Sequence, residues 1–200
     1  MPEKICIFGG SFDPVHKGHK KLALFVSEKL GLSKMLIIPA AMSPFKTNSG
    51  ASEDDRLNMC RLAFSEDIFE VSDMEMARGG KSYTVDTVEA VREMYPDEEL
   101  YLLIGSDQLL SFDKWYRFSD IMKNVTLCAV SRESGKKREE LSAFADENLR
   151  RYGECVILDF EPFEVSSTQI RKLSASGENI EDLVDKEVFG YILSKGLYKI

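Results

Sequence analysis

The sequence predicts an α/β fold: a mostly parallel sheet with helices on both faces, followed by a small helical C-terminal part. Three observations lead to this prediction. Strand-like apolar runs alternate with helical patterns along most of the chain. The strand-like runs are almost continuously apolar, as expected for strands that are buried on both faces. The 200 residues are also enough to bury the core of one domain of ordinary size.

Six short apolar runs are predicted as strands because residues that favour turns follow them. The glycine pair Gly9-Gly10 ends the first run, and Pro39 ends the second. The predicted strands are residues 4–8, 35–38, 69–72, 100–104, 125–130 and 155–158.

Apolar residues at helical spacing predict the helices between these strands. In the first helix, for example, Leu22, Phe25, Val26 and Leu30 fall on one face. Ser52 is a residue type that caps helix N-termini, so it is predicted to begin the second helix. The predicted helices are residues 17–30, 52–64, 84–94, 136–151, 168–174 and 186–194. Because no linker or repeat interrupts this order, residues 1–200 are predicted to form a single domain.

Composition and charge exclude several classes of function. The chain is 44% hydrophobic and 30% charged, as in soluble globular proteins, and no apolar run approaches the ~20 residues of a membrane span. The net charge of −8 argues against nucleic acid as the main partner. The four cysteines are far apart and lack metal-ligand spacing, so we expect reduced thiols in a cytoplasmic protein.

Ligands of parallel sheets bind outside the carboxyl ends of the strands. Functional residues are therefore expected after Phe8, Ile38, Ile104 and Val130.

The segment after the first strand has the character of a phosphate site. Gly9 and Gly10 allow backbone amides to approach a phosphate, and Gly18-His19 opens a helix whose N-terminus attracts anions. The only two histidines of the chain, His16 and His19, both lie here. The spacing fits neither a Walker loop nor GxGxxG, and no third ligand completes a zinc site. A helix cap and a turn histidine are the structural alternative, but the pairing favours a nucleoside-triphosphate site.

Residues 9–19, GGSFDPVHKGH, resemble the GGxFDPxHxGH fingerprint of the HxGH nucleotidylyltransferase superfamily, whose fold is Rossmann-like. Residues 165–171, VSSTQIR, are similar to the second fingerprint of that superfamily, ISSTxIR. A serine, a threonine and an arginine at the start of a helix are also suited to hold a triphosphate. SSTQIR by itself could be an ordinary helix cap, but the two motifs occur in the expected order.

Further segments narrow the resemblance to the bacterial nicotinate-nucleotide adenylyltransferases. Residues 75–87 resemble the E-x-x-R-x-G-x-SYTxDT run of that family, and residues 103–107 followed by Trp115 resemble its IGxD…W segment. Residues 39–46 resemble its loop ending in P-x-K, and residues 188–198 also fit. One departure is Phe45, because the family usually has histidine before the loop lysine.

This resemblance implies one nucleotidylyltransferase domain that transfers the adenylyl group of ATP to nicotinate mononucleotide in NAD biosynthesis, giving deamido-NAD and pyrophosphate. Mg²⁺ is expected on the ATP phosphates, with no metal ligand from the protein. The implied catalytic residues are His16, His19 and Arg171. The implied ATP-binding residues are Gly9, Gly10, Ser11, Phe12, Gly105, Asp107, Ser167 and Thr168. The implied nicotinate mononucleotide-binding residues are Lys46, Tyr83, Thr84 and Trp115.

Several alternatives stay open at this point. Another HxGH-type transferase, such as one acting on phosphopantetheine, would share the first motif but lack the SYTVDT segment. A regulatory nucleotide-binding module would not need both histidines and Arg171. Trp115 could be a core aromatic residue, and Lys46 could be a solvated loop charge. Arg132, just after a predicted strand, is a further phosphate candidate with an equal case for a surface role. A monomer and a homo-oligomer are both compatible with the sequence.

Overall fold

The computed structural model describes residues 2–41, 50–131, 136–161 and 163–199. Strands and helices follow each other in the predicted order. The strands are β1 (Lys4–Gly10), β2 (Lys34–Pro39), β3 (Phe69–Val71), β4 (Glu99–Gly105), β5 (Thr126–Ser131) and β6 (Cys155–Asp159). The helices are α1 (Lys17–Leu30), α2 (Glu53–Ala63), α3 (Met74–Arg78), α4 (Thr84–Met94), α5 (Ser106–Leu109), α6 (Phe118–Asn124), α7 (Lys136–Asn148), α8 (Ser167–Ala175) and α9 (Lys186–Lys195).

The strands form one six-stranded sheet in the order β3-β2-β1-β4-β5-β6. β1 pairs with β4, β4 with β5 and β5 with β6, and all three pairs are parallel. The strand order reverses its direction between β1 and β4, which makes their carboxyl ends the topological switch point of the sheet. The prediction of an α/β, Rossmann-like fold is confirmed.

The chain divides into two compact units. Unit 1 consists of Met1–Gly9, Phe25–Leu36 and Tyr83–Glu161, and unit 2 of Gly10–Leu24, Ile37–Ser82 and Pro162–Ile200. Each unit combines segments that are far apart in the sequence. Whether residues 1–200 act as one domain is not tested by this division, so the single domain stays a prediction.

The helices absent from the prediction are short. α3, α5 and α6 have five, four and seven residues, and a 3₁₀ turn at Phe112–Lys114 has three. A helix of one or two turns contains too few apolar repeats for periodicity to detect. The predicted cap of α2 is present, because the Ser52 side chain accepts a hydrogen bond from the Asp55 amide.

The four cysteines are buried and carry free thiols, as predicted. Cys6, Cys128 and Cys155 lie on strands of unit 1, and Cys60 lies on α2 in unit 2. Burial raises the pKa of the Cys155 thiol to about 11 and that of Cys128 to about 12. In the described parts of the chain, no helix has the length and apolar character needed to cross a bilayer.

Candidate active site

The loop after β1 is built around the side chain of Phe12. Phe12 has a φ of 46°, in the left-handed region, and its ring is buried. The ring lies so close to Gly10 that a Cβ on Gly10 would come within 3.1 Å of it. The same ring makes an edge contact with the imidazole of His19, with the ring centroids 5.0 Å apart. Glycine at position 10 thus lets Phe12 turn inward and support a predicted catalytic histidine.

The two histidines form a stacked pair at the start of α1. Their ring centroids are 3.7 Å apart and their planes are inclined by 28°. The backbone N–H of His16 donates to Nδ1 of His19 at 3.2 Å. Because Nδ1 accepts this bond, the proton of the neutral His19 ring resides on Nε2, which makes Nε2 a hydrogen-bond donor. The backbone of the motif therefore selects one tautomer of His19.

The second motif contacts the first through two long-range hydrogen bonds. The Ser167 hydroxyl donates to the Pro14 carbonyl at 2.9 Å, and Nη1 of Arg171 donates to the Asp13 carbonyl at 2.6 Å. Nη2 of Arg171 also donates to the Thr168 hydroxyl at 3.3 Å. The two motifs GGSFDPVHKGH and SSTQIR are thus in direct contact, and apart from Gly9 their residues belong to unit 2. We call Phe12, Asp13, His16, His19, Ser167 and Arg171 the phosphate cluster.

The Asp13 carboxylate is an important member of this cluster to which the sequence motifs assigned no role. It is buried, with 4% of the residue exposed. Its oxygens accept hydrogen bonds from the Gly50 amide at 2.8 Å, the Ala51 amide at 3.2 Å and the Tyr198 hydroxyl at 2.8 Å. Nη1 of Arg171 lies 3.8 Å from Oδ2. Several donors thus compensate for the cost of burying this charge.

Arg56 is a second residue whose role the sequence motifs did not indicate. Its residue exposure is 3%, although arginine is almost never fully buried unless paired. Nη1 donates to the Ser11 carbonyl at 2.8 Å, and Nη2 donates to the Ala41 carbonyl at 3.3 Å. Arg56 thereby connects the glycine-rich loop to the chain that follows β2. Its position on the apolar face of α2, with Met59 and Cys60, was the available sequence signal.

Unit 1 contains a second set of predicted binding residues at the end of β4. Gly105 directly precedes α5, and its backbone N–H donates to Oε1 of Gln108 at 3.2 Å. The exposed Asp107 folds back over Gly105, because a Cβ on Gly105 would lie 2.6 Å from Asp107 Oδ1. Glycine at position 105 is therefore required for this position of the Asp107 carboxylate.

The predicted pyridine-binding residues of unit 1 are aromatic and partly exposed. Tyr83 occupies the N-cap position of α4, directly before Thr84, and is 38% exposed. Its ring lies 5.0 Å from that of Tyr116, a residue that was not predicted. The half-buried ring of Trp115 lies 5.0 Å from the buried ring of Phe112, at an angle of 45°. We call the three aromatic residues Tyr83, Trp115 and Tyr116, together with the adjacent Thr84, the aromatic group.

Some predicted residues lie outside these contacts. Gly9 is exposed in β1 and belongs to unit 1, whereas Gly10 and Ser11 belong to unit 2. Lys46, Phe45 and Arg132 lie outside the described residues. Across the ranges that are described, no group of three His, Cys, Asp or Glu side chains could hold a metal ion.

Comparison with known proteins gives the family. The cytidylyltransferase-like family model matches residues 7–173. A protein of Clostridium tetani with the name probable nicotinate-nucleotide adenylyltransferase is 34% identical over 98% of this chain and 100% of its own. A Carboxydothermus hydrogenoformans protein of the same name is 36% identical over 98% of both chains.

A solved structure supports the fold independently. The Plasmodium falciparum nicotinic acid mononucleotide adenylyltransferase complexed with NaAD matches with a TM-score of 0.79 and 19% identity, over 98% of this chain and 97% of that one. Together with the curated relatives, this agreement covers nearly the whole chain. The chain therefore belongs to the cytidylyltransferase-like family and, within it, to the nicotinate-nucleotide adenylyltransferases.

Proposed function

We propose that this chain transfers the adenylyl group of ATP to nicotinate mononucleotide, giving deamido-NAD and pyrophosphate in NAD biosynthesis. One observation carries the proposal: Ser167 and Arg171 hydrogen-bond to the backbone of Pro14 and Asp13, which joins the two nucleotidyl-transfer motifs. The relatives described above bear the name of this activity.

The acceptor determines what the histidines must do. A phosphate monoester has a second pKa of about 6, so the attacking phosphate of nicotinate mononucleotide is already an anion at neutral pH. No general base is needed to create the nucleophile. We assign His19 Nε2–H as a donor to an oxygen of the α-phosphate, where charge increases in the transition state. The stacked His16 is assigned to the same phosphates.

Arg171, Ser167 and Thr168 are assigned to the departing pyrophosphate. They lie in the first turns of α8, a nine-residue helix whose N-terminal amides favour anions. A guanidinium is suited to phosphate oxygens because its N–H groups form a planar fork. We propose that ATP enters as its Mg²⁺ complex, in which the ion is held by phosphate oxygens. The protein contributes positioning and fixed donors, and no covalent intermediate is required.

Recognition of the acceptor is assigned to the aromatic group and to Lys46. Trp115 offers an aromatic face to the cationic pyridinium ring, and the N-terminal amides of α4 at Thr84 offer donors to the nicotinate carboxylate. Lys46 is proposed to bind the phosphate of the mononucleotide. Six further residues are proposed to bind ATP, as the resemblance implies: Gly9, Gly10, Ser11, Phe12, Gly105 and Asp107. This assignment gives a preference for the acid over the amide, because only the acid carries a negative charge on the ring substituent.

Pyrophosphate release tests the function directly. The purified protein is incubated with ATP and Mg²⁺ and with nicotinate mononucleotide, nicotinamide mononucleotide or phosphopantetheine. Release that is fastest with nicotinate mononucleotide and yields deamido-NAD is the expected result. Release only with phosphopantetheine, or with none of the three acceptors, would reject the proposal. The buried free thiols are in keeping with a cytoplasmic enzyme, which is the location that we propose.

A further inference from the structure

Tyr198, the last residue of the C-terminal segment that resembles the family, has no implied role in the reaction, yet it bonds directly to the phosphate cluster. Its hydroxyl donates to Asp13 Oδ1 at 2.8 Å, across 185 residues of sequence. Its φ is 63°, in the left-handed region, where a residue with a Cβ is strained. A strained conformation persists where surrounding contacts hold it in place, so the bond to Asp13 is part of a defined arrangement.

The surroundings of Tyr198 are closely packed. A Cβ on Gly50 would come within 2.9 Å of the Tyr198 ring and 3.0 Å of Cδ of Arg171. The Gly50 backbone therefore lies against both side chains, while its amide donates to Asp13 Oδ2 at 2.8 Å. Only glycine provides this close approach. We call Asp13, Gly50, Ala51, Arg171 and Tyr198 the Asp13 hub.

The hub connects Tyr198 to Arg171 through Asp13. Nη1 of Arg171 donates to the Asp13 carbonyl at 2.6 Å and lies 3.8 Å from the Asp13 carboxylate. The carboxylate thus attracts the guanidinium, while the Tyr198 hydroxyl and two backbone amides bind the carboxylate oxygens. Burial, and then the charge of Asp13, raise the pKa of Tyr198 well above its ordinary value. The hydroxyl therefore remains protonated and continues to donate at physiological pH.

We propose that Tyr198 is a positioning residue for ATP binding: by donating to Asp13, it sets the position of the carboxylate and, through it, that of the Arg171 guanidinium. Tyr198 itself has no contact with the substrate in this proposal. The inference rests on the assignment of Arg171 to the ATP phosphates under the proposed function. It requires that the loss of the Tyr198 hydroxyl weakens ATP binding only while Arg171 is present.

A double-mutant cycle on ATP affinity tests this requirement. The wild type, Tyr198→Phe, Arg171→Ala and the double variant are compared by equilibrium dialysis with labelled ATP and Mg²⁺, without acceptor. We expect Tyr198→Phe to weaken binding about tenfold in the wild-type background, as for loss of a hydrogen bond to a charged group. In the Arg171→Ala background, the same substitution should change the affinity less than about twofold, because the group through which Tyr198 acts is gone.

Tyr191 provides a matched control. Its hydroxyl donates to Asp55 Oδ1 at 2.9 Å, so Tyr191→Phe removes the same kind of tyrosine–aspartate bond within unit 2. ATP affinity should be unchanged in Tyr191→Phe, whereas thermal unfolding should report similar losses of stability in both variants. Equal losses of ATP affinity in both phenylalanine variants would overturn the proposal. A Tyr198→Phe effect that persists in full without Arg171 would do so as well.

A second variant covers the case in which Tyr198→Phe does not fold. Asp13→Asn keeps the size of the side chain and the backbone carbonyl but removes the charge that attracts Arg171. Its effect on ATP affinity should likewise disappear in the Arg171→Ala background, and wild-type affinity in Asp13→Asn would overturn the proposal.

The dialysis experiment needs no acceptor, so its result is independent of the proposed reaction. Coupling between positions 198 and 171 in ATP affinity, without pyrophosphate release from any acceptor, would reject the proposed function alone. Release with nicotinate mononucleotide but no coupling would reject only the role of Tyr198.

Discussion

The phosphate cluster of unit 2 and the aromatic group of unit 1 are held in different ways. In the cluster, side chains from distant parts of the sequence bond to the same loop, and Phe12, Asp13 and His16 are buried. In the aromatic group, the ring contacts join residues within a stretch of 34 positions, from Tyr83 to Tyr116, and both tyrosines are exposed. Stabilising a transition state requires donors that are fixed in advance, whereas an aromatic face can bind a ring with less constraint.

The largest expected effect is at the fixed donor. His19→Ala removes the Nε2–H group that we assign to the α-phosphate, so kcat should fall by roughly two or more decades with a modest loss of ATP binding. Steady-state pyrophosphate release and ATP dialysis measure the two quantities. His19→Gln, which keeps an amide N–H donor, should recover part of the rate. Near-normal turnover of His19→Ala would refute the catalytic assignment.

A smaller effect, confined to one substrate, is expected in the aromatic group. Trp115→Ala should raise the KM for nicotinate mononucleotide about tenfold, as expected for loss of a cation–π contact, and leave the KM for ATP within about twofold. Trp115→Phe keeps an aromatic face and serves as the control. Since Trp115 also packs on Phe112, thermal unfolding of both variants is measured alongside. An equal rise in both KM values would show that Trp115 supports the fold and not the acceptor.

A still smaller effect is expected for a substitution at the end of β4. Gly105→Ala places a Cβ where Asp107 Oδ1 now lies, so the exposed carboxylate must move. If Asp107 contacts the nucleotide as proposed, the KM for ATP should rise about threefold, since an exposed polar contact is worth about 0.5–1 kcal/mol. Gly190→Ala, at a glycine of α9 where the added Cβ would enter open space, is the control. An unchanged KM for ATP in Gly105→Ala would remove Asp107 from the site.

The smallest effect concerns stability in unit 2. Burial raises the pKa of Asp185, the N-cap residue of α9, although the Lys20 ammonium lies 3.8 Å from Oδ2 and opposes the shift. A raised pKa means that the ionised carboxylate destabilises the folded state, a cost that is absent at acidic pH and complete at neutral pH. Asp185→Asn should therefore raise Tm slightly at pH 7. The gain should shrink as the pH falls toward the ordinary pKa of aspartate. A Tm gain that is the same at acidic and neutral pH would contradict this explanation.

The periodicity of apolar residues was sufficient to predict the long helices and insufficient to predict the short ones. α1 and α4 have the predicted bounds, because their apolar residues recur over three or more turns. The helix predicted to extend to residue 151 ends at Asn148, and α5, with four residues, has no repeat to detect. Helix ends depend on local hydrogen bonds that the spacing of apolar residues does not specify.

For the site, the sequence identified residue types and motifs but not the contacts between them. Two histidines in one glycine-rich segment, and a distant serine, threonine and arginine, were enough to predict a triphosphate site. In the sequence, nothing distinguishes Arg56 from other charged residues of a helix, and Tyr198 is only the last residue of a segment that fits the family. Their hydrogen bonds to Ser11 and Asp13 became visible only in three dimensions.

The sequence by itself determined the α/β class, the order of the long elements and the motifs that predict adenylyl transfer. It could do so because each is recorded in residues close together along the chain. Only the tertiary structure decided that a buried carboxylate, Asp13, collects donors from Gly50, Ala51 and Tyr198, and that Arg171 lies beside it. A buried charge must be compensated by whichever donors the fold brings near, and those donors come from positions with no sequence relation to it.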